Sequence, residues 1–190
     1  MREEVRILLL SGPVAVGKTS FAAALVEHFG FAKLRSGGYL ALQAREQGLA
    51  TDRTSLQQLG DSFDALTDYR WVVDQVASPT IGERPEQRLW LFDAVRKHRQ
   101  VMHFRDRFPD SLLHIHLIAP EAVLRARYDA RLAAGGEYLG GTPYDDAVKH
   151  PNEVESRSLQ LVADLVLDTK ARSPQELAAD AFGALEGKGR

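Results

Sequence analysis

Short unbroken apolar runs alternate along the chain with longer stretches in which apolar residues recur every three or four positions. The first run, Val5-Arg6-Ile7-Leu8-Leu9-Leu10 continuing to Ser11, reads as a strand buried on both faces. Four more such runs follow, at Ala32–Arg35, Leu89–Asp93, Leu112–Ile118 and Leu165–Asp168. The intervening periodic stretches predict helices. One covers the alanine-rich Thr19–Phe29. Another begins at Glu121 after Ala119-Pro120 and runs to about Leu132, with the proline where it starts a helix cheaply. A last helix to about Leu185 opens with the capping-box pattern Ser173-Pro174-Gln175-Glu176. Strand and helix in alternation predict a parallel sheet of about five strands with helices on both faces.

Two segments depart from that rhythm. Residues 37–78 read as a helical insert between the second and third strands. One helix is expected around Tyr39–Ala44, a second capped by Thr54 or Ser55 and running through Leu66, and a third after Asp68 around Trp71-Val72-Val73. In a doubly wound sheet such an insert lies over the carboxyl ends of the strands, where ligands bind. Residues 133–150 are glycine-rich, with Gly135-Gly136 and Gly140-Gly141 around Tyr138 and Tyr144 close behind, and are expected to form a short lid-like loop.

Composition narrows the picture. At 190 residues and 44% hydrophobic content, the chain is expected to form one domain, 1–190. Its formal charge of −2, from 24 basic and 26 acidic residues, gives no global field for polymeric nucleic acid or an anionic membrane. The absence of cysteine excludes disulfides, thiolate zinc sites and a cysteine nucleophile. No apolar run approaches a membrane span, and Arg2-Glu3-Glu4 does not suit a signal peptide, so a cytoplasmic protein is expected.

The chemistry begins where the first strand ends. Gly12-Pro13-Val14-Ala15-Val16-Gly17-Lys18-Thr19 is a complete G-x-x-x-x-G-K-T phosphate-binding loop between a strand and a helix. Gly12 and Gly17 let successive amide N–H groups turn inward around phosphate oxygens, and the following helix, opened by Thr19 and Ser20, points its positive end at the same anion. Residues 12–20 are therefore expected to bind a nucleoside triphosphate, with Lys18 on the β/γ oxygens and the Thr19 hydroxyl on Mg²⁺.

Charged residues at strand ends supply the remaining candidates. Asp93 closes the third strand and is expected to hold Mg²⁺ or orient an acceptor; Arg96 follows three residues later. Arg35 ends the second strand before Gly37-Gly38, and Arg53 precedes the next helix. With Arg96 they are the candidate contacts for an acceptor phosphate, since guanidinium offers a planar two-pronged donor to oxyanions. Arg127 and Arg131 are four apart on one helix face and are expected to grip the transferring phosphoryl group jointly, while Arg125 points away. Asp61 and Asp64 read as solvent-facing acids, and His114 and His116 as packed residues rather than a metal pair.

This order of parts, from the loop Gly12–Thr19 through Arg35, the insert and Asp93-x-x-Arg96 to Arg127 and Arg131, resembles the P-loop nucleoside monophosphate kinases. The end of the third strand is similar to phage-type deoxynucleoside monophosphate kinases and to dephospho-coenzyme A kinases. The resemblance implies a three-layer P-loop NTPase sandwich, ATP and Mg²⁺ as cosubstrates, an insert that closes over the acceptor, and a lid carrying arginines. The expected reaction is transfer of the ATP γ-phosphoryl group to a small acceptor, foremost a nucleotide phosphate, by a monomer or homodimer. A hydroxyl kinase of the dephospho-coenzyme A, shikimate or gluconate type, with Asp93 as base, and a regulatory ATPase are the alternatives.

Overall fold

The computed structural model describes residues 4–135 and 141–188, apart from the side chain of Arg53. Five strands, β1 (Arg6–Ser11), β2 (Ala32–Leu34), β3 (Leu89–Asp93), β4 (Leu112–Ile118) and β5 (Leu165–Asp168), form one sheet in the order β2-β3-β1-β4-β5. Every neighbouring pair is parallel. All five carboxyl ends thus share one edge, and the register sets Leu10 of β1 beside Asp93 of β3.

Because side chains alternate along a strand, β1 serves two cores at once. Leu8 and Leu10 pack with Leu91, Ile115 and Leu117 against α1 (Lys18–Phe29), α6 (Glu121–Ala133) and α9 (Pro174–Gly187). Ile7 and Leu9 pack with Trp90 and Phe92 against α5 (His98–Arg107) and the segment around Trp71. That is why the strands read as continuous apolar runs: a sheet covered on both faces has no polar side. Helix α1 stops at Gly30, whose φ of +71° lets its N–H return to the carbonyls of Leu25 and Val26. The capping box of α9 is present, with the Ser173 hydroxyl accepting from the Glu176 N–H and the Glu176 carboxylate accepting from the Ser173 N–H.

The insert is helical, with two differences from expectation. Between α2 (Ser36–Glu46) and α3 (Arg53–Thr67), the cap is Asp52. Its carboxylate accepts from the N–H groups of Thr54 and Ser55 and from the Ser55 hydroxyl, at 2.7–3.1 Å. An aspartate one residue ahead of the helix takes the orphan amides that Thr54, already inside it, cannot. The third helix opens as a π-helical turn, Val72–Ala77, and continues as α4 (Ser78–Gly82). Pro79, with no N–H to give, directly follows the widened turn. Tyr39, Phe63 and Trp71 pack with ring centroids 5.7–6.0 Å apart, Tyr39 stacked on Trp71 and Phe63 tilted against both, and join α2, α3 and this turn.

Beneath the carboxyl end of β1, the Ser11 hydroxyl lies 2.8 Å from both His114 Nε2 and His116 Nδ1. Both imidazoles are buried, and burial pushes each from the ordinary 6.5 to about 4. They are packed neutral groups, and no three potential metal-ligating side chains cluster among the described residues. A folded-state pKa below the unfolded one means that the unfolded chain binds more protons between the two values. Stability from this pair is complete above about pH 6.5 and is lost as pH falls toward about 4. The urea midpoint should therefore drop between pH 7 and pH 4.5, and His116→Gln should flatten that dependence; an unchanged pH profile in the variant would show that the ring does not titrate in this way.

Candidate functional site

The phosphate loop is built from one close approach and two unusual backbone conformations. Gly12 has a φ of +144°, and a Cβ there would sit 2.7 Å from the Leu117 carbonyl oxygen, so any larger residue would push β4 away from the loop. Gly17 has a φ of +103° and begins α1. Between them Ala15 adopts a left-handed φ of +62°. The segment runs from Gly12 through Pro13, Val14, Ala15 and Val16 to Gly17, and Thr19 and Ser20 are exposed in the first turn of α1.

Lys18 folds over this loop, donating to the carbonyls of Gly12 at 2.6 Å and Pro13 at 2.8 Å. Burial pushes its ammonium down to about 8; Glu153 and Asp93 oppose that shift, while Arg96 and Arg131 reinforce it. Five charged side chains from distant parts of the chain thus act on one another here. The loop also holds an anion of its own: the Val14 N–H donates to Glu153 Oε1 at 2.9 Å. A carboxylate oxygen on a loop amide occupies the kind of position that a phosphate oxygen takes, so the loop fits a nucleotide phosphate. Thr19 and Asp93 offer hard oxygen donors suited to Mg²⁺, which keeps most of its shell as water and phosphate oxygen.

Glu153 has no signal in the sequence. It lies on α8 (Pro151–Ser158), and an acid in the first turn of a helix reads simply as a favourable partner for the helix dipole. In the fold α8 straps the loop, since the Ser156 hydroxyl also donates to the Gly12 carbonyl at 3.2 Å. Arg157 donates to Glu153 at 3.0 Å, to Glu121 of α6 at 2.9 Å and to the Tyr144 hydroxyl at 3.1 Å. Tyr144 begins the short helix α7 (Tyr144–Ala147) and donates to Glu121 at 2.6 Å. Arg125, expected on the surface, is exposed and holds α7 through Asp145. The expected lid segment is thus partly helical, and residues 136–140 within it lie outside the described residues.

The acceptor candidates sort unequally. Arg35, Asp93 and Arg96 line one cavity of about 700 Å³ between the ends of β2 and β3 and helices α2 and α3. Lys33 lines it too, with Nζ 3.8 Å from the Asp93 carboxylate. Arg96 is oriented through its backbone N–H, which donates to Gln100 Oε1 at 3.0 Å. Arg53 opens α3, and its side chain lies outside the described residues. Asp61 and Asp64, read as solvent-facing, also border this cavity; Asp61 is exposed as expected, while Asp64 is half-buried.

Arg127 and Arg131 do not act as the expected pair. Arg131 is exposed and reaches the electrostatic neighbourhood of Lys18. Arg127 is committed elsewhere: it donates to Thr169 Oγ1 at 2.9 Å, to the Thr169 carbonyl at 2.8 Å and to the Val16 carbonyl at 3.3 Å. These bonds tie the phosphate loop to the end of β5. The four-residue spacing places both arginines on one side of α6, but β5 and the loop, 42 and 111 residues away in sequence, claim the first of them.

Two outcomes follow. Because Lys18 titrates near 8 in the free protein and an incoming anion restores its proton, ATP binding should weaken by about tenfold per pH unit above pH 8. Proton uptake, measured calorimetrically in buffers of different ionisation enthalpy, checks this; a flat profile to pH 9.5 would show that Lys18 stays charged. Because the Glu153 carboxylate holds a loop amide that a phosphate needs, Glu153→Gln should tighten ATP binding by about fivefold. Weaker binding in that variant would make the carboxylate a support of the loop rather than a competitor.

No protein-family model and no curated protein sequence matches this chain. Solved structures do resemble it in fold. A gluconokinase from Sinorhizobium meliloti 1021 is 17% identical with a TM-score of 0.52, over 98% of this chain and 94% of that one. A shikimate kinase from Acinetobacter baumannii in complex with shikimate is 18% identical with a TM-score of 0.54, over 98% and 95%. An APS kinase from Mycobacterium tuberculosis in complex with AMPPNP and APS is 17% identical with a TM-score of 0.53, over 96% and 98%. With its five-stranded parallel sheet, its glycine-rich loop after β1 and these full-length likenesses, the chain has an α/β P-loop fold like that of these three structures.

Proposed function

We propose that this protein is an ATP- and Mg²⁺-dependent phosphotransferase that moves the γ-phosphoryl group of ATP to a hydroxyl of a small molecule held in the cavity between β3 and the insert. The observation that carries this reading is the junction at Asp93. Its carboxylate closes β3 beside Leu10, where β1 leads into the phosphate loop, and also lines the acceptor cavity. It therefore stands between the phosphoryl donor and whatever fills the cavity. The likeness to kinases of gluconate and shikimate supports a hydroxyl acceptor over the nucleotide phosphate that sequence favours.

Thr19 and Asp93 would hold Mg²⁺, which would supply positive charge against the transferring phosphoryl group. The chain's own residues do the rest. Loop amides and Lys18 fix the triphosphate, and Arg131 adds positive charge beside Lys18. Asp93 accepts the proton of the acceptor hydroxyl as the new O–P bond forms and the bond to ADP breaks. Lys33 Nζ lies 3.8 Å from that carboxylate. Arg127 acts at a distance, by holding the loop to Thr169.

One feature favours a second reading. Among the described residues neither Arg35 nor Arg96 has a carboxylate partner, and two open guanidinium groups in a cavity suit the phosphate of a nucleoside monophosphate.

A coupled ADP-release assay with MgATP separates the two. Sugar acids, other hydroxy acids and dephospho-coenzyme A form one arm; ribo- and deoxyribonucleoside monophosphates form the other. Release should depend on a hydroxy acceptor, fall at least about a hundredfold in Lys18→Ala, and vanish in Asp93→Asn with ATP binding retained. Release with monophosphates alone would establish the second reading. A slow rate indifferent to every acceptor would overturn both in favour of a regulatory ATPase.

A further inference from the structure

Helix α8 is eight residues long and serves two places at once. Glu153, Ser156 and Arg157, spaced by three and four, share one side of it. That side lies on the phosphate loop: Ser156 donates to the Gly12 carbonyl at 3.2 Å, and one oxygen of Glu153 accepts both from the Val14 N–H at 2.9 Å and from Arg157 Nε at 3.0 Å. Asn152 and Glu155, three apart, share the neighbouring side. Asn152 lines a second, smaller cavity of about 270 Å³ together with Arg96, Lys97 and Gln100, and Glu155 accepts from Lys97 Nζ at 2.8 Å. Arg96 and Gln100 also line the larger cavity, so the two adjoin.

The Lys97–Glu155 pair is thus the tie between the loop and the acceptor side. Among the described residues it is the ion pair that joins α8 to the segment after β3. Lys97 stands immediately before α5, whose Val101 and Phe104 are packed into the core, so its backbone is anchored to the sheet. Its side chain is only 15% exposed and its ammonium borders the smaller cavity. An anionic group entering that cavity competes with Glu155 for the same ammonium, and the competition is strong because the ammonium is largely out of water. Weakening the tie loosens α8, and α8 carries the carboxylate that occupies the Val14 amide.

We propose that α8 is an autoinhibitory latch between the two halves of the site: the Lys97–Glu155 pair keeps Glu153 in the phosphate loop, and an acidic group in the smaller cavity draws Lys97 from Glu155 and frees the Val14 amide for the triphosphate. This rests on the reading of the loop as the phosphoryl-donor site and of the cavities as the acceptor site. Coupling of this kind is reciprocal, so acceptor and triphosphate each favour the binding of the other. With no acceptor bound, the chain holds its own anion where a phosphate oxygen would sit.

The sign of one substitution tests the latch. Loss of a cation near a phosphate site weakens anion binding by simple electrostatics, whereas Lys97→Met should tighten MgAMPPNP, by about threefold for a partly buried pair. In nucleotide-free protein, hydrogen exchange of the Val14 amide, followed by NMR, should quicken by a like factor in Lys97→Met and in Glu155→Gln, the second of which leaves Lys97 and its packing in place. The exchanged pair Lys97→Glu with Glu155→Lys should restore both values, and in a Glu153→Gln background Lys97→Met should change neither. The acceptor found in the coupled assay should tighten MgAMPPNP about threefold in the wild type and not at all in Lys97→Met. Weaker MgAMPPNP binding in Lys97→Met, Val14 exchange unchanged in both single variants, an effect that survives Glu153→Gln, or an acceptor without influence on MgAMPPNP overturns the latch. Binding of MgAMPPNP that is absent, or indifferent to Lys18→Ala, would instead fail the phosphotransferase reading, while Val14 exchange, measured without nucleotide, still scores the latch by itself.

Discussion

A buried ammonium with only carbonyl groups for partners sets the terms for everything around it. Lys18 lies over its own loop, against Gly12 and Pro13, in a space that Arg96 and Arg131 also charge positively. Such a concentration of positive charge and inward-turned amides calls for an anion. Glu153 supplies one from within the chain, at the Val14 N–H. The sheet makes this possible by bringing the ends of β1, β3 and β4 to one edge, and Gly12 makes it close by letting the loop lie against the Leu117 carbonyl.

From that anion a continuous chain of polar contacts leads away from the loop. Glu153 is held by Arg157, Arg157 by Glu121 and Tyr144, and Tyr144 opens the helix that follows the glycine-rich segment. Lys97 and Glu155 link the other side of α8 to the residues just after Arg96. Helix α8 therefore touches the loop, α6, α7 and the acceptor side at once. A change of anion at the loop is felt directly by the one element that joins all of these.

How legible this was from sequence depends on how far apart the deciding residues lie. The strands, the loop that follows the first of them and the capping box at Ser173 are local patterns, and each is present where expected. Asp93 and Arg96 were legible because the end of a strand is a defined place in a parallel sheet. Glu153, 139 residues from its partner Val14, carries no local mark. Arg127 fits its local pattern but is captured by Thr169. Asp61 and Asp64 look like any surface acids on an amphipathic helix; Asp61 stays exposed, and Asp64 alone is drawn half inward, by its bond to the Trp71 indole. Local rules place elements; which side chains meet in a site is decided by elements that the chain brings together from far away.

Trp71 has a further consequence. It belongs to the core formed with Leu34 and Phe92 of the sheet, and it also stacks on Tyr39 of α2 and Phe63 of α3. One indole is thus shared by the elements on both sides of the larger cavity. Any change in the angle between α2, α3 and the sheet therefore has to be accommodated at this one ring.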